Sequence, residues 1–302
     1  MPARSRGSLA ANRRRTQGWA AWLLALPFVV VFAAFMLLPI AGSLAMSFTD
    51  MTVRDVGTPF AVNLIGFDQY AALFADPLFV QSLGNTAAFV LVCIPITMAI
   101  ALAMAVALDA GIERLRTVFR VGFFAPVVTA VVAIAIVWRF ILQPDGLLNA
   151  ALAVVGIEGP DWLSDPAWAL PAMILMTVWR NFGLLVIIFL AGLQAVPPEL
   201  HEAAAVDGAG AGARFRRITL PILTPTLLLG GVLLSVSYLQ FFEEPFVMTG
   251  GGPLGSTTSV SLFVYNQFGF GDYAFGAAGA YVLFVIIAAV SAAWFRLLRS
   301  RE

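Results

Sequence analysis

The sequence predicts an all-α polytopic membrane protein with six transmembrane helices and both termini cytoplasmic. Three observations carry this prediction. The 302 residues are 61% hydrophobic and only 11% charged, with a mean hydropathy of +0.92, against roughly 25% charged residues in soluble domains. Six apolar runs each reach the roughly 20 residues needed to cross a hydrocarbon core. The arginines also alternate along the chain. Fourteen lie in the N-terminal segment, the loops after runs two and four, and the tail, whereas the three intervening loops together hold one, Arg54. Basic residues are retained on the cytoplasmic side, which orients every crossing. One membrane domain over 1–302 is expected, with 1–18 as a cytoplasmic N-terminal segment.

The elements follow in order. Residues 1–18 are polar and carry Arg4, Arg6, Arg13, Arg14 and Arg15. The apolar run after them, 19–48, is too long for a signal-peptide core and is read as a retained first helix, with Pro27 and Pro39 as kink points. A polar outer stretch, 49–80, holds four aspartates. Run two covers 81–108, followed by a short loop with Arg114, Arg116 and Arg120. Run three covers 118–142. The outer loop after it is acidic and ends near Trp162 and Trp168, as interfacial tryptophans would. Run four covers 167–193 and run five 222–248. Thr249 to Thr258 is turn-forming, a polar-aromatic segment then returns toward the membrane, and run six covers 275–298. Gly276 and Gly279 with their neighbouring alanines form a small-residue face suited to close helix packing.

Between runs four and five lies the longest polar segment after the N-terminus, 197–220. Pro197 and Pro198 suit a first helical turn. Glu199 and Glu202 complement the positive end of the helix dipole, the alanines 203–205 favour helix, and Gly208 supplies a stop. A second short helix from about 211 to 218 is expected before Pro221 opens run five. The unit reads as helix, glycine turn, helix, with small side chains that let a partner backbone approach. Its residue order, Glu202-Ala203-Ala204 with Asp207-Gly208, then Phe215, then Ile218, Leu220 and Pro221, resembles the EAA loop of ABC-importer permeases. The segment Thr249-Gly250-Gly251-Gly252-Pro253 is similar to one that follows the fifth core helix in the carbohydrate-uptake, maltose-type members.

That resemblance implies a coupling loop docking into an ATPase subunit. Glu202 would meet a basic residue of that subunit, and Ala203, Ala204, Asp207, Gly208 and Phe215 would complete the contact. It further implies a permease subunit of an ATP-driven, binding-protein-dependent importer for a sugar, oligosaccharide or glycerol-phosphate-like polyol. The expected partners are a second, paralogous permease, an ATPase dimer and an extracytoplasmic solute-binding protein, in a prokaryotic inner membrane whose lipid is the chain's solvent. No cofactor is expected in this chain, since ATP and magnesium would sit on the ATPase. Glu243-Glu244 departs from the family pattern, which more often has Asn and Asp-type residues there.

The residues themselves exclude other chemistry. The chain has no lysine, so it has no P-loop or Schiff-base lysine. Cys93 is the lone cysteine and His201 the lone histidine, too few for a soft-metal site. The glycine runs at 208–212 and 250–252 follow no strand and bind no nucleotide, and no nucleic-acid partner is expected. Polar residues inside apolar runs are costly unless they face protein or water. Arg180, Asn181, Tyr238, Gln240, Glu243 and Glu244 are therefore candidates for a solute pathway, with Asn85 and Thr86 as possible neighbours. The competing structural reading pairs Arg180 with Glu243 or Glu244. Adjacent helical positions diverge by about 100°, so the two glutamates should take different roles. A proton-coupled secondary transporter using one of them is the alternative function. It leaves the elaborate cytoplasmic loop unexplained and lacks an evident inverted repeat. A membrane-embedded enzyme lacks any cluster of nucleophile, base and metal ligands.

Overall fold

The computed structural model describes residues 22–58, 62–109, 122–123 and 125–299. The expected cytoplasmic segment 1–18 and the arginines of the second–third loop lie outside these residues. No named strand occurs among the described residues, only an isolated bridge between Thr49 and Leu64. Five helices are long and apolar enough to cross a membrane: α1 (Trp22–Met46), α3 (Pro77–Asp109), α6 (Pro166–Gln194), α8 (Ala211–Leu239) and α11 (Tyr273–Arg299). Shorter helices lie between them: α2 (Asp68–Ala75), α4 (Val131–Ile141), α5 (Leu147–Val154), α7 (Pro198–Val206), α9 (Glu243–Met248) and α10 (Val260–Phe270).

Helix starts follow local chemistry. Asp76 Oδ1 accepts the backbone N–H groups of Leu78 and Phe79 at 2.8 and 2.9 Å, starting α3. Asp165 accepts from the Ala167 N–H at 2.8 Å, with Pro166 at the first helical position of α6. Ser259 caps α10 through the Leu262 N–H. Each cap satisfies donors that a helix leaves unpaired at its N-terminus. Between α1 and α2, hydrogen bonds from the side chain and backbone of Asn63, both 2.8 Å, hold the Asp50 carboxyl below its ordinary pKa.

The main core lies between α3, α6 and α8, where Phe89, Cys93, Met173, Met176, Phe189 and Leu234 are buried. A second core joins α2, α3, α10 and α11 through Leu73, Phe79, Phe263 and Ala278. Burial separates centre from rim: of its most apolar stretch α6 buries 56% and α1 none. Leu23, Leu24, Phe28 and Phe35 on α1 are exposed, which in a membrane protein is a face for lipid or another chain. The small-residue face expected in run six packs as predicted. A Cβ on Gly276 would meet Phe268 at 3.0 Å and one on Gly279 would meet Val264 at 3.1 Å, so α10 lies close along α11.

Two runs differ from their expected form. The apolar run 118–142 is not one continuous helix. Helical residues up to 128 give way to a bend at Thr129, and Ala130 is extended (ψ 129°) before α4 begins. Run five starts earlier and ends sooner than expected. Its helix begins at Ala211, so the second helix of the polar loop and the membrane crossing are one element. Pro221 does not open the crossing but sits inside it, absorbed by a π-turn at Phe215–Thr219 in which the Leu220 N–H bonds the Phe215 carbonyl. Proline has no N–H and crowds the carbonyl four residues back, and widening the turn relieves that clash. The same device precedes Pro39 in α1, where Ala33–Leu37 form a π-turn. At its other end α8 stops at Leu239, and Glu243 and Glu244 open the separate helix α9.

Candidate functional site

Around the middle of α6 the chain places several polar groups. The Arg180 guanidinium reaches the neighbouring Asn181 amide oxygen at 3.4 Å, and the Asn181 amide donates to the Thr177 carbonyl at 3.0 Å. Arg180 and Asn181 are half-buried, and Glu244 of α9 is 5% exposed. No Arg180–glutamate ion pair forms among the described residues; the guanidinium bonds its neighbour Asn181. Instead three buried polar atoms have no hydrogen-bond partner here: Thr177 Oγ1, Arg180 Nε and Glu244 Oε2. Each such group costs about 1–3 kcal/mol when left unsatisfied. The competing structural pairing of Arg180 with a glutamate is thus not what the geometry contains.

The two glutamates diverge as their spacing requires. Glu244 is buried, whereas Glu243 is exposed. The other pathway candidates are placed differently. Tyr238 is 2% exposed. Its hydroxyl lies 3.2 Å from Thr97 Oγ1, which donates to the Cys93 carbonyl, and its ring meets Phe89 edge-on at 5.8 Å. It joins α8 to α3 beside the Arg180 cluster. Gln240 is exposed at the α8–α9 break and bonds back to the Val236 carbonyl at 3.0 Å. Beneath the break, Phe241 stacks on Phe89 with centroids 3.9 Å apart. Asn85 and Thr86 do not join this cluster. Asn85 donates to the carbonyls of Gly255 and Thr258, and Thr86 accepts the Val260 N–H, so both brace the turn between α9 and α10. The residues Thr249 to Thr258 close on themselves through Thr249–Thr257 and Thr258–Gly251 bonds.

The polar loop between α6 and α8 is a helix and a turn feeding straight into α8. At the end of α7 the Ala209 N–H bonds the Ala204 carbonyl at 2.8 Å and the Gly208 N–H bonds the Ala205 carbonyl at 3.0 Å. With Gly208 at φ +78°, this is a Schellman stop, and glycine takes the left-handed conformation without a Cβ penalty. Glu202, Ala203, Asp207 and Gly208 are exposed, and Ala204 and Phe215 are half-buried. Val206 is 89% exposed at the tip. Among the described residues no group of three His, Cys, Asp or Glu side chains could hold a metal.

Long apolar helices that hold polar groups between them, with an exposed helix–turn unit joining two of them, mark a multi-pass membrane protein. Comparison with known proteins then gives the family. No family model matches the chain. It is 31% identical to the sulfoquinovosyl glycerol transport system permease of Agrobacterium fabrum over 100% of both chains. It is 33% identical to the lactose transport system permease of Rhizobium radiobacter, covering 93% of this chain and 94% of that one. The chain belongs to the sugar ABC-transporter permeases, and it is a multi-pass protein of the inner membrane. A solved bacterial alginate ABC transporter, in complex with an alginate pentasaccharide-bound periplasmic protein, contains a chain of the same fold. Its TM-score is 0.80 at 23% identity, over 95% of this chain and 96% of that one.

Proposed function

We propose that this chain is one of two membrane subunits of an ATP-driven, binding-protein-dependent importer for a carbohydrate or polyol. The observation that carries the reading is the exposed, Schellman-stopped α7 running directly into α8, in a chain whose full-length relatives are sugar ABC permeases. In this reading the chain crosses the membrane six times with both termini cytoplasmic. The third crossing is made in two pieces, the helical residues before 129 and α4. The arginine distribution supports that orientation and puts α7 on the side where ATP is.

The mechanism follows from the elements. Glu202, Ala203, Ala204, Asp207, Gly208 and Phe215 form the docking unit for a separate ATPase subunit, which holds ATP and magnesium and performs the hydrolysis. The small side chains of Ala203 and Ala204 let the partner approach, and Glu202 offers it a charge. Because α8 is continuous from Ala211 to Leu239, a displacement of the docking unit moves the α8–α9 break and Glu244 with it. Arg180, Asn181 and Glu244 line the solute pathway, where sugar hydroxyls donate to the carboxylate and accept from the guanidinium. Tyr238 fixes the wall behind them, and Gln240 and Glu243 flank its exposed side. An extracytoplasmic binding protein delivers the solute, supported by the periplasmic protein bound to the alginate transporter. A paralogous second permease completes the pathway.

Uptake into reconstituted vesicles, with ATPase co-purification followed in parallel, tests this. Glu202→Ala should cut ATP-dependent uptake at least tenfold and weaken ATPase association. Uptake that follows a proton gradient, needs no ATP and ignores Glu202 would replace the importer with a secondary transporter.

A further inference from the structure

A second polar feature lies away from the Arg180–Glu244 cluster. Between the end of α4, the loop that follows α5, and the end of α9 is a cleft of about 520 Å³. Arg139, Gln143, Asp161 and Ser164 face it from one side, and Phe246 and Thr249 from the other. None of those first four side chains is hydrogen-bonded or ion-paired to another group among the described residues. Arg139 and Asp161 in particular share the cleft without forming a salt bridge. The volume lies within the roughly 300–1,000 Å³ usual for small-molecule sites.

Exposed polar side chains are ordinarily just solvated, so the cleft needs a further argument, and its wall supplies one. Asn149 donates to the Pro144 carbonyl at 3.1 Å and the Pro160 carbonyl at 3.3 Å, and accepts the Trp162 indole N–H at 2.7 Å. One amide thus ties together the two chain segments that carry Gln143 and Asp161. Glycine is required on both sides of this tie. A Cβ on Gly146 would lie 2.4 Å from the Ile141 carbonyl oxygen, and one on Gly159 would lie 2.0 Å from the Asn149 amide oxygen. The polar wall is therefore held in place before any ligand arrives, which lowers the ordering cost of binding. Opposite it, Phe246 is 45% exposed and packs with Phe242 and Tyr265. A fixed row of donors and acceptors facing an aromatic platform matches a sugar ring, whose hydroxyl edge is polar and whose C–H faces are apolar.

The cleft and the central cluster share one element, α9. Glu244 stands at the start of α9 and Thr249 just past its end, five residues on, which at 1.5 Å per residue is about 8 Å. We propose that this cleft is an outer carbohydrate subsite that holds the trailing part of an extended solute while its leading ring meets Arg180 and Glu244. The inference rests on the importer reading and deepens it: the cargo is a chain of at least two rings. Arg139, Gln143, Asp161 and Ser164 then contribute in proportion to solute length.

Uptake by the assembled importer tests this with glucose, maltose, maltotriose and the glucuronate-containing di- and trisaccharides as probes. Gln143→Ala and Asp161→Asn should raise KM at least fivefold for a transported trisaccharide and less than twofold for a transported monosaccharide, with maximal rate unchanged. Asn149→Ala, which unties the wall, should give the same length dependence. In a Cys93→Ala background, the Gln143→Cys thiol should react with a membrane-impermeant maleimide. A trisaccharide should slow that reaction and a monosaccharide should not. Equal KM effects at every length, or labelling that no saccharide slows, overturns the subsite and leaves the importer reading intact. A wild-type complex that moves none of the probes, and no other sugar, oligosaccharide or polyol offered with its binding protein and ATP, overturns the carbohydrate reading itself.

Discussion

At the residue scale, adjacent side chains take opposite environments, and this sets their expected effects. Glu244 is buried with one carboxylate oxygen unpartnered, while Glu243 beside it is exposed. Glu244→Ala should therefore lower uptake or raise KM at least tenfold, whereas Glu243→Gln should stay within about threefold; radiolabelled uptake measures both. That the two glutamates diverge was legible from helical spacing alone. Which of them is buried was not, because it depends on α9 starting afresh after the α8 break. Gly183 makes a different point. A Cβ there would lie 1.8 Å from the Phe123 carbonyl oxygen, a backbone atom that cannot swing aside. Gly183→Ala should destabilise by about 1–3 kcal/mol, the range for forcing extra volume into a packed contact. It should appear as a lower melting temperature of the purified protein. Nothing in the sequence singles Gly183 out from the other glycines, since its constraint comes from a segment sixty residues away.

At the element scale, the π-turn under Pro221 decides how the docking unit meets the membrane. Pro221 reads as a helix opener in the sequence, and it acts instead as a widened turn within a helix that runs from Ala211 to Leu239. Pro221→Ala restores the missing N–H and lets the turn tighten to an α-helix, which would rotate everything before it by about 100° relative to the rest. ATP hydrolysis by the assembled complex should persist while uptake falls at least fivefold, a separation visible by assaying both on one preparation. Gly208→Val should act one element earlier. At φ +78° a β-branched residue is strained by about 1–2 kcal/mol or more, so α7 should lose its stop and ATPase co-purification should decline. The broken third run and the early end of run five were hidden from sequence for one reason. Thr129-Ala130 and Gln240-Phe241-Phe242 sit within apolar runs and carry no glycine or proline to mark a break.

At the scale of the whole molecule, the amino-acid order by itself determined that this is a helical, multi-pass membrane protein, that it belongs with sugar ABC permeases, and where its glycine-stopped polar loop lies. Those features are local. A run of apolar residues must be helical to satisfy its backbone in lipid, and the Glu202-to-Pro221 segment carries its own caps and turn. Only the tertiary structure decided which polar residues share a space. It drew Asn85 and Thr86 away to brace the turn between α9 and α10, set Tyr238 between α3 and α8, left Arg180 and Glu244 without an ion pair to each other, and faced Arg139 and Gln143 across a cleft from Phe246. Each of those outcomes depends on how helices far apart in sequence cross and rotate against one another. That rotation is fixed by close contacts between them, such as Gly183 against the Phe123 backbone and Gly231 against the Trp294 ring, and no single segment contains it.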